Sequence, residues 1–112
     1  MSETRLDTEA FRLEVALWHS RMYPTAKADD VLAKLMEEVG ELAGAYQKYK
    51  WATKASIADT WEDHERDAIG DVMIVLAAYC LKRNIDLDEV TASAWQRVKV
   101  RSRERVLNGE GA

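Results

Sequence analysis

Little in this chain interrupts a helix. Its 112 residues include one proline and five glycines, too few breakers for an all-β fold with many turns. A single cysteine, Cys80, sits in the apolar run Val72 to Leu81. With no second cysteine there is neither a disulfide framework nor a cysteine metal site, and a core thiol in a reducing cytosol is expected. No apolar run is long enough to cross a bilayer, and Met1 to Arg5 carries no signal-like apolar region. The expectation is a cytoplasmic chain with no membrane partner. The net charge of −4 argues against binding a nucleic-acid polymer. Three kinds of chemistry are missing as motifs: there is no G-x-S-x-G elbow, no P-loop and no Cys-His pairing. The Glu-x-x-His pairs of di-iron bundles are missing too.

What remains is helical patterning. Hydrophobic residues make up 47% and charged residues 32%, the composition of a globular chain, and residues 1–112 read as one domain. A first helix, capped by Asp7 or Thr8, runs to about Met22. Phe11, Val15, Trp18 and Met22 recur along it at helical spacing, with Leu13 and Leu17 beside them. Pro24 closes it. A second, capped by Asp29 or Asp30, spans about Val31 to Lys50. The polar stretch Trp51 to Trp61 reads as a loop with a helical turn near Ser56 to Asp59. A third helix, about Glu62 to Arg83, buries Ile69, Val72, Met73, Leu76, Tyr79 and Cys80. Its run VMIVLAAYCL is apolar nearly all round. Asn84 suits its C-cap. Asp86 and Glu89 resemble a capping box for a fourth helix, about Leu87 to Leu107. Four helices of this length leave a small core, so a second chain is expected to complete the bundle.

The chemistry-bearing residues are carboxylates. Glu37, Glu38 and Glu41 fall three and four apart in the second helix and share a surface. His64, Asp67 and Asp71 repeat that spacing in the third, beside its most apolar part. A solvated acidic stripe would have to be invoked twice. Facing carboxylates on neighbouring helices are how bundles build metal sites, and oxygen-only donors suit Mg²⁺ or Mn²⁺. Arg97, Lys99, Arg101, Arg103 and Arg105 crowd the last helix and offer an anion site. Metal-binding carboxylates with basic side chains suit a phosphate ester or anhydride: the metal neutralises phosphate oxygens, a held water attacks phosphorus, and the basic groups hold the leaving phosphates.

These stretches resemble a known family. KLMEEVGELAGAY looks like the Glu-Glu-x-x-Glu motif of the MazG-like all-α nucleoside triphosphate pyrophosphohydrolases. RDAIGDVMIVLAAY looks like their second motif, Glu-x-x-Asp, with Ala68 at the glutamate position and Asp67 one place earlier. Short, phage-type members have a similar Asp-Ala-x-Gly-Asp pattern. AWQRVKVR resembles the final-helix segment. The resemblance implies an all-α, four-helix MazG-like bundle completed by oligomerisation, as a homodimer or homotetramer with sites between chains. It implies hydrolysis of a (deoxy)nucleoside triphosphate to monophosphate and pyrophosphate with Mg²⁺ or Mn²⁺. By position, Glu37, Glu38, Glu41 and Asp71 are metal ligands or water-orienting bases, with Asp67 a further metal candidate. Lys99 and Arg103 or Arg101 contact phosphates. Trp18, His19, Trp51 and Trp61 are candidates for the base pocket, and their large aromatic surfaces favour purine deoxynucleotides.

Two other readings stand beside this one. The enzyme could instead accept diphosphates or modified nucleotides. Alternatively the chain is a non-catalytic helical adaptor whose acidic and basic stripes pair between copies.

Overall fold

The computed structural model describes residues 5–52 and 55–109. These form four helices: α1 (Thr8–Met22), α2 (Ala28–Trp51), α3 (Ala55–Lys82) and α4 (Leu87–Leu107). No strand occurs among the described residues. The all-α architecture expected from the scarcity of breakers is therefore what the chain adopts.

The helix ends follow local chemistry. Asp7 caps α1, its carboxylate accepting from the Ala10 N–H at 3.1 Å. Asp86 caps α4 in the same way through the Glu89 N–H at 3.1 Å. α3 ends at Asn84, in the left-handed region at φ 55°. The Ile85 N–H reaches the Cys80 carbonyl at 2.8 Å and the Asn84 N–H reaches the Leu81 carbonyl at 3.2 Å. These are the paired bonds of a Schellman ending, and asparagine tolerates that backbone better than most residues.

Two boundaries differ from the sequence reading. α2 starts earlier: its N-cap is Lys27, and Asp30 sits inside the first turn, accepting from the Lys27 N–H at 2.9 Å. The acidic pair serves the exposed N–H groups of the first turn from within. The expected loop Trp51 to Trp61 is mostly helix. α2 runs through Trp51 and α3 begins at Ala55, while residues 53 and 54 of that stretch lie outside the described residues. Polarity alone reads as a loop there, but the segment holds neither glycine nor proline, and a solvated helix tolerates such a composition.

α2 and α3 form a hairpin packed along its length, and α1 packs on α3. The core is small: Val15, Val31, Ala77 and Ala78, flanked by Phe11, Ile74, Val75 and Tyr79. Of the stripe expected on α3, Cys80 is buried and Val72, Leu76 and Tyr79 are half-buried, but Ile69 and Met73 are exposed. Leu13, Leu17, Met22, Met36 and Val39 are exposed as well. The helices are apolar on more sides than one chain can cover. α4 has no buried residue. It is tied to α1 through Arg12, which meets Asp86 at 3.3 Å and Asp88 at 3.1 Å, and through the Thr8 hydroxyl, which donates to Asp88 at 3.1 Å. The Cα radius of gyration is 17.9 Å, against about 13 Å for a compact chain of this length.

Candidate metal and nucleotide site

The helical spacing of Glu37, Glu38 and Glu41 brings their carboxylates together: one oxygen from each lies within 4.8 Å of the others. Glu37 and Glu41 are exposed, but Glu38 is only 7% exposed. Its two oxygens differ. Oε1 lies 3.3 Å from the Lys34 ammonium. Oε2 is buried without a hydrogen-bond partner among the described residues. Lys34 also pairs with Glu37 at 2.7 Å. The hydrogen bonds to Glu37 and then Glu38 hold its ammonium above the ordinary lysine range.

The hairpin supplies the opposite wall. Glu41 of α2 and Asp67 and Asp71 of α3 line one cleft of about 380 Å³, with His64 and Lys48 at its outer end. Ala68, at the position where the resemblance expects glutamate, is buried at 7% exposure in the same cleft. Asp67 and Asp71 are exposed and stand outside the close set: among the described residues that set is Glu37, Glu38 and Glu41. Trp61 also belongs to this cleft. Its ring meets His64 edge-on at 4.8 Å, and Lys48 Nζ lies 4.9 Å from its centroid.

A second cavity, of about 340 Å³, lies on the other side of Lys34. Trp18, His19 and Tyr23 form its aromatic wall, with Val31, Val75 and Ala78 from α2 and α3. Trp18 meets Tyr23 edge-on at 5.9 Å, and His19 meets Tyr23 at 5.1 Å. Burial and then the charge of Lys82 push the His19 imidazole below its ordinary pKa, favouring the neutral ring. A mostly apolar cavity with a few polar groups at the edge suits a flat heterocycle.

The remaining sequence candidates are elsewhere. Trp51 is 73% exposed and lines neither cavity. Lys50 Nζ lies 5.5 Å from its ring centroid. Lys99, Arg101 and Arg103 are exposed on α4 and line neither of these two cavities; Arg101 borders two open grooves on α4 itself. Sequence reading missed Lys34, Tyr23 and Asp30. For Lys34 the signal was present: it stands three and four residues before Glu37 and Glu38. Tyr23 and Asp30 reach the cavity only through the turn between α1 and α2.

The oxygen donors fit a hard divalent cation. All are carboxylates, and Glu38 Oε2 is the kind of buried, unpartnered oxygen that a cation satisfies. Over residues 8–97 the chain matches the family described as phosphoribosyl-ATP pyrophosphohydrolase. The chain belongs to that family, part of the all-α MazG-like superfamily, and is thereby a hydrolase of the nucleotide pyrophosphohydrolase type. Comparisons with curated proteins and with solved structures return no match. No helix among the described residues is long and apolar enough to cross a membrane.

Proposed function

We propose that the chain acts as a single domain that hydrolyses a nucleoside triphosphate, a purine deoxynucleotide in the first instance, to the monophosphate and pyrophosphate. The observation that carries this reading is Glu38: a buried carboxylate with one unpartnered oxygen, set in a three-glutamate cluster. Glu37, Glu38 and Glu41 would hold Mg²⁺ or Mn²⁺, with Asp71 and Asp67 across the cleft as further ligands or water holders. Bound there, the ion supplies charge neutralisation of the phosphate oxygens and Lewis acidity at phosphorus. The carboxylates orient the attacking water and take its proton as the α–β anhydride bond breaks and pyrophosphate leaves. The cavity of Trp18, His19 and Tyr23 takes the base. Its aromatic wall favours the larger stacking face of a purine over a pyrimidine.

The leaving phosphates need more cations than Lys34 and Lys48, the two lysines that the described residues bring to the cluster and the cleft. Lys99, Arg101 and Arg103 of a second copy would supply them. α4 has no fully buried residue and touches the core only through half-buried Leu87 at its start, carries exposed Trp95, Val98 and Val106, and is rich in basic residues. A homodimer or homotetramer would join the two. The setting proposed is the cytoplasm, and the chain is a short, phage-type form of the superfamily.

The family match favours one further reading, in which phosphoribosyl-ATP itself is the substrate. Both readings share the anhydride chemistry and differ in what the aromatic cavity must hold. The deciding experiment incubates the protein with each common NTP and dNTP, with nucleoside diphosphates and with phosphoribosyl-ATP, under Mg²⁺ and under Mn²⁺. Chromatography then resolves the products. Monophosphate with pyrophosphate from a purine dNTP supports the first reading. Turnover of phosphoribosyl-ATP alone supports the second. Release of single phosphates, or no turnover at all, would overturn both.

A further inference from the structure

The acidic cluster and the aromatic cavity share one cation. Lys34 is paired with Glu37 at 2.7 Å and with Glu38 at 3.3 Å, and it also lines the cavity walled by Trp18, His19 and Tyr23. Among the described residues no other cation pairs with Glu37 or Glu38. Its side chain is 53% exposed, so its flexible stem has room to swing.

The ammonium sits on Oε1 of Glu37 and Oε1 of Glu38, the two carboxylates that a metal on Glu38 Oε2 would share. A Mg²⁺ ion sits about 2.0–2.1 Å from its carboxylate oxygens, so an ion on Glu38 Oε2 would stand next to an ammonium held on Oε1 of the same carboxylate. Both cannot occupy the pair without strong repulsion. A lysine that leaves the pair stays tethered at the border between cluster and cavity. There it lines the cavity and adjoins the cluster at once.

Building on the metal reading above, we propose that Lys34 is the resident counter-ion of the Glu37–Glu38 pair, displaced when the divalent ion enters, and thereafter a phosphate-positioning residue between the metal cluster and the base cavity. It competes with the metal and cooperates with the phosphates. Removing it therefore moves the two affinities in opposite directions, which a merely structural role does not do.

The test titrates Mn²⁺ into the metal-free full-length protein, then inorganic triphosphate into the protein saturated with Mg²⁺, both by calorimetry. Inorganic triphosphate carries the phosphate chain common to every nucleoside triphosphate and needs no base. Lys34→Met is expected to bind Mn²⁺ roughly thirtyfold tighter, the effect of removing one unit charge about 4 Å from a divalent ion in water. It is expected to bind triphosphate weaker by a similar factor. Lys34→Arg should restore wild-type behaviour in both. Lys34→Gln serves as a second neutral variant should the methionine form fail to fold. Mn²⁺ affinity unchanged or weakened in the neutral variants, or unchanged triphosphate affinity, overturns the proposal while leaving the metal site intact. Wild type that binds no Mn²⁺ overturns it together with the metal reading, a distinguishable result.

Discussion

The Lys34 ammonium lies 3.3 Å from one oxygen of Glu38, while the other oxygen of the same carboxylate is buried with no partner among the described residues. A half-satisfied buried carboxylate costs about 1–3 kcal/mol, more when charged. In the metal-free protein, Glu38→Gln removes that charge and keeps the shape. The variant is expected to unfold at the wild-type temperature or above it. Saturating Mn²⁺ should raise the wild-type midpoint, because a ligand at a hundred times its Kd adds about 2.7 kcal/mol. It should leave Glu38→Gln unmoved. Turnover should fall beyond the roughly 10–100-fold loss typical of groups that only support a metal ligand. Scanning calorimetry with and without Mn²⁺ checks the first two outcomes. An unchanged metal response in the variant would remove Glu38 from the site.

Asp67 and Asp71 line the cleft with Glu41 from the opposite helix, outside the close glutamate set. That placement is common to both, and the ranking comes from the motif resemblance, in which Asp71 matches the aspartate position and Asp67 stands one place before the glutamate position. Asp67→Asn should lose about tenfold in turnover, as expected of a group acting on the site through another. Asp71→Asn should lose more. Both are exposed, so thermal stability should hardly change. Steady-state kinetics of the two variants side by side would check the order. Equal and full activity in both would confine the chemistry to α2.

His19 carries a pH dependence. Burial and the charge of Lys82 place its folded pKa below the ordinary 6.5. Below 6.5 the unfolded chain takes up a proton that the folded chain resists. The contribution of His19 to stability is therefore complete above pH 6.5, and it is lost as pH falls through the depressed folded value. His19→Gln should flatten the decline in unfolding midpoint between pH 7.5 and pH 5 relative to wild type. Parallel profiles for the two proteins would rule His19 out as the source.

How much of this was legible beforehand differs by level. Helix identity followed from the missing breakers. Both aspartate caps of α1 and α4 and the Asn84 ending were readable because they depend on neighbours within four residues. The Glu37–Glu38–Glu41 cluster was readable for the same reason. What could not be read was which apolar side of each helix the single chain buries. Ile69 and Met73 have the same chemistry as the half-buried Val72 and Leu76, and only the packing of α3 on α1 and α2 separates them. The loop expected from Trp51 to Trp61 failed because polarity does not distinguish a solvated helix from a loop. Tyr23 and Lys34 reach the aromatic cavity across a turn and a helix face, a relationship set by tertiary packing.

The exposed basic set on α4 bears on how many chains make one site. Lys99, Arg101 and Arg103 line neither the carboxylate cleft nor the aromatic cavity, Arg101 bordering only open grooves on α4 itself, and α4 has no fully buried residue. If a second copy brings these cations to the cleft, each site takes its carboxylates from one chain and its phosphate-binding cations from another. A Glu41→Ala chain and an Arg103→Ala chain would then each be inactive alone. In a two-fold dimer every mixed pair regains one intact site of two. Random mixing makes half of all dimers mixed, so about a quarter of wild-type activity should return on unfolding and refolding the two variants together. The same mixture without refolding, in which chains do not exchange, should stay inactive. Activity in the Arg103→Ala chain alone would show that this arginine is not needed. Two inactive variants that fail to complement after refolding would place both halves of the site in one chain, and α4 would have to fold back onto the α2–α3 hairpin to reach it.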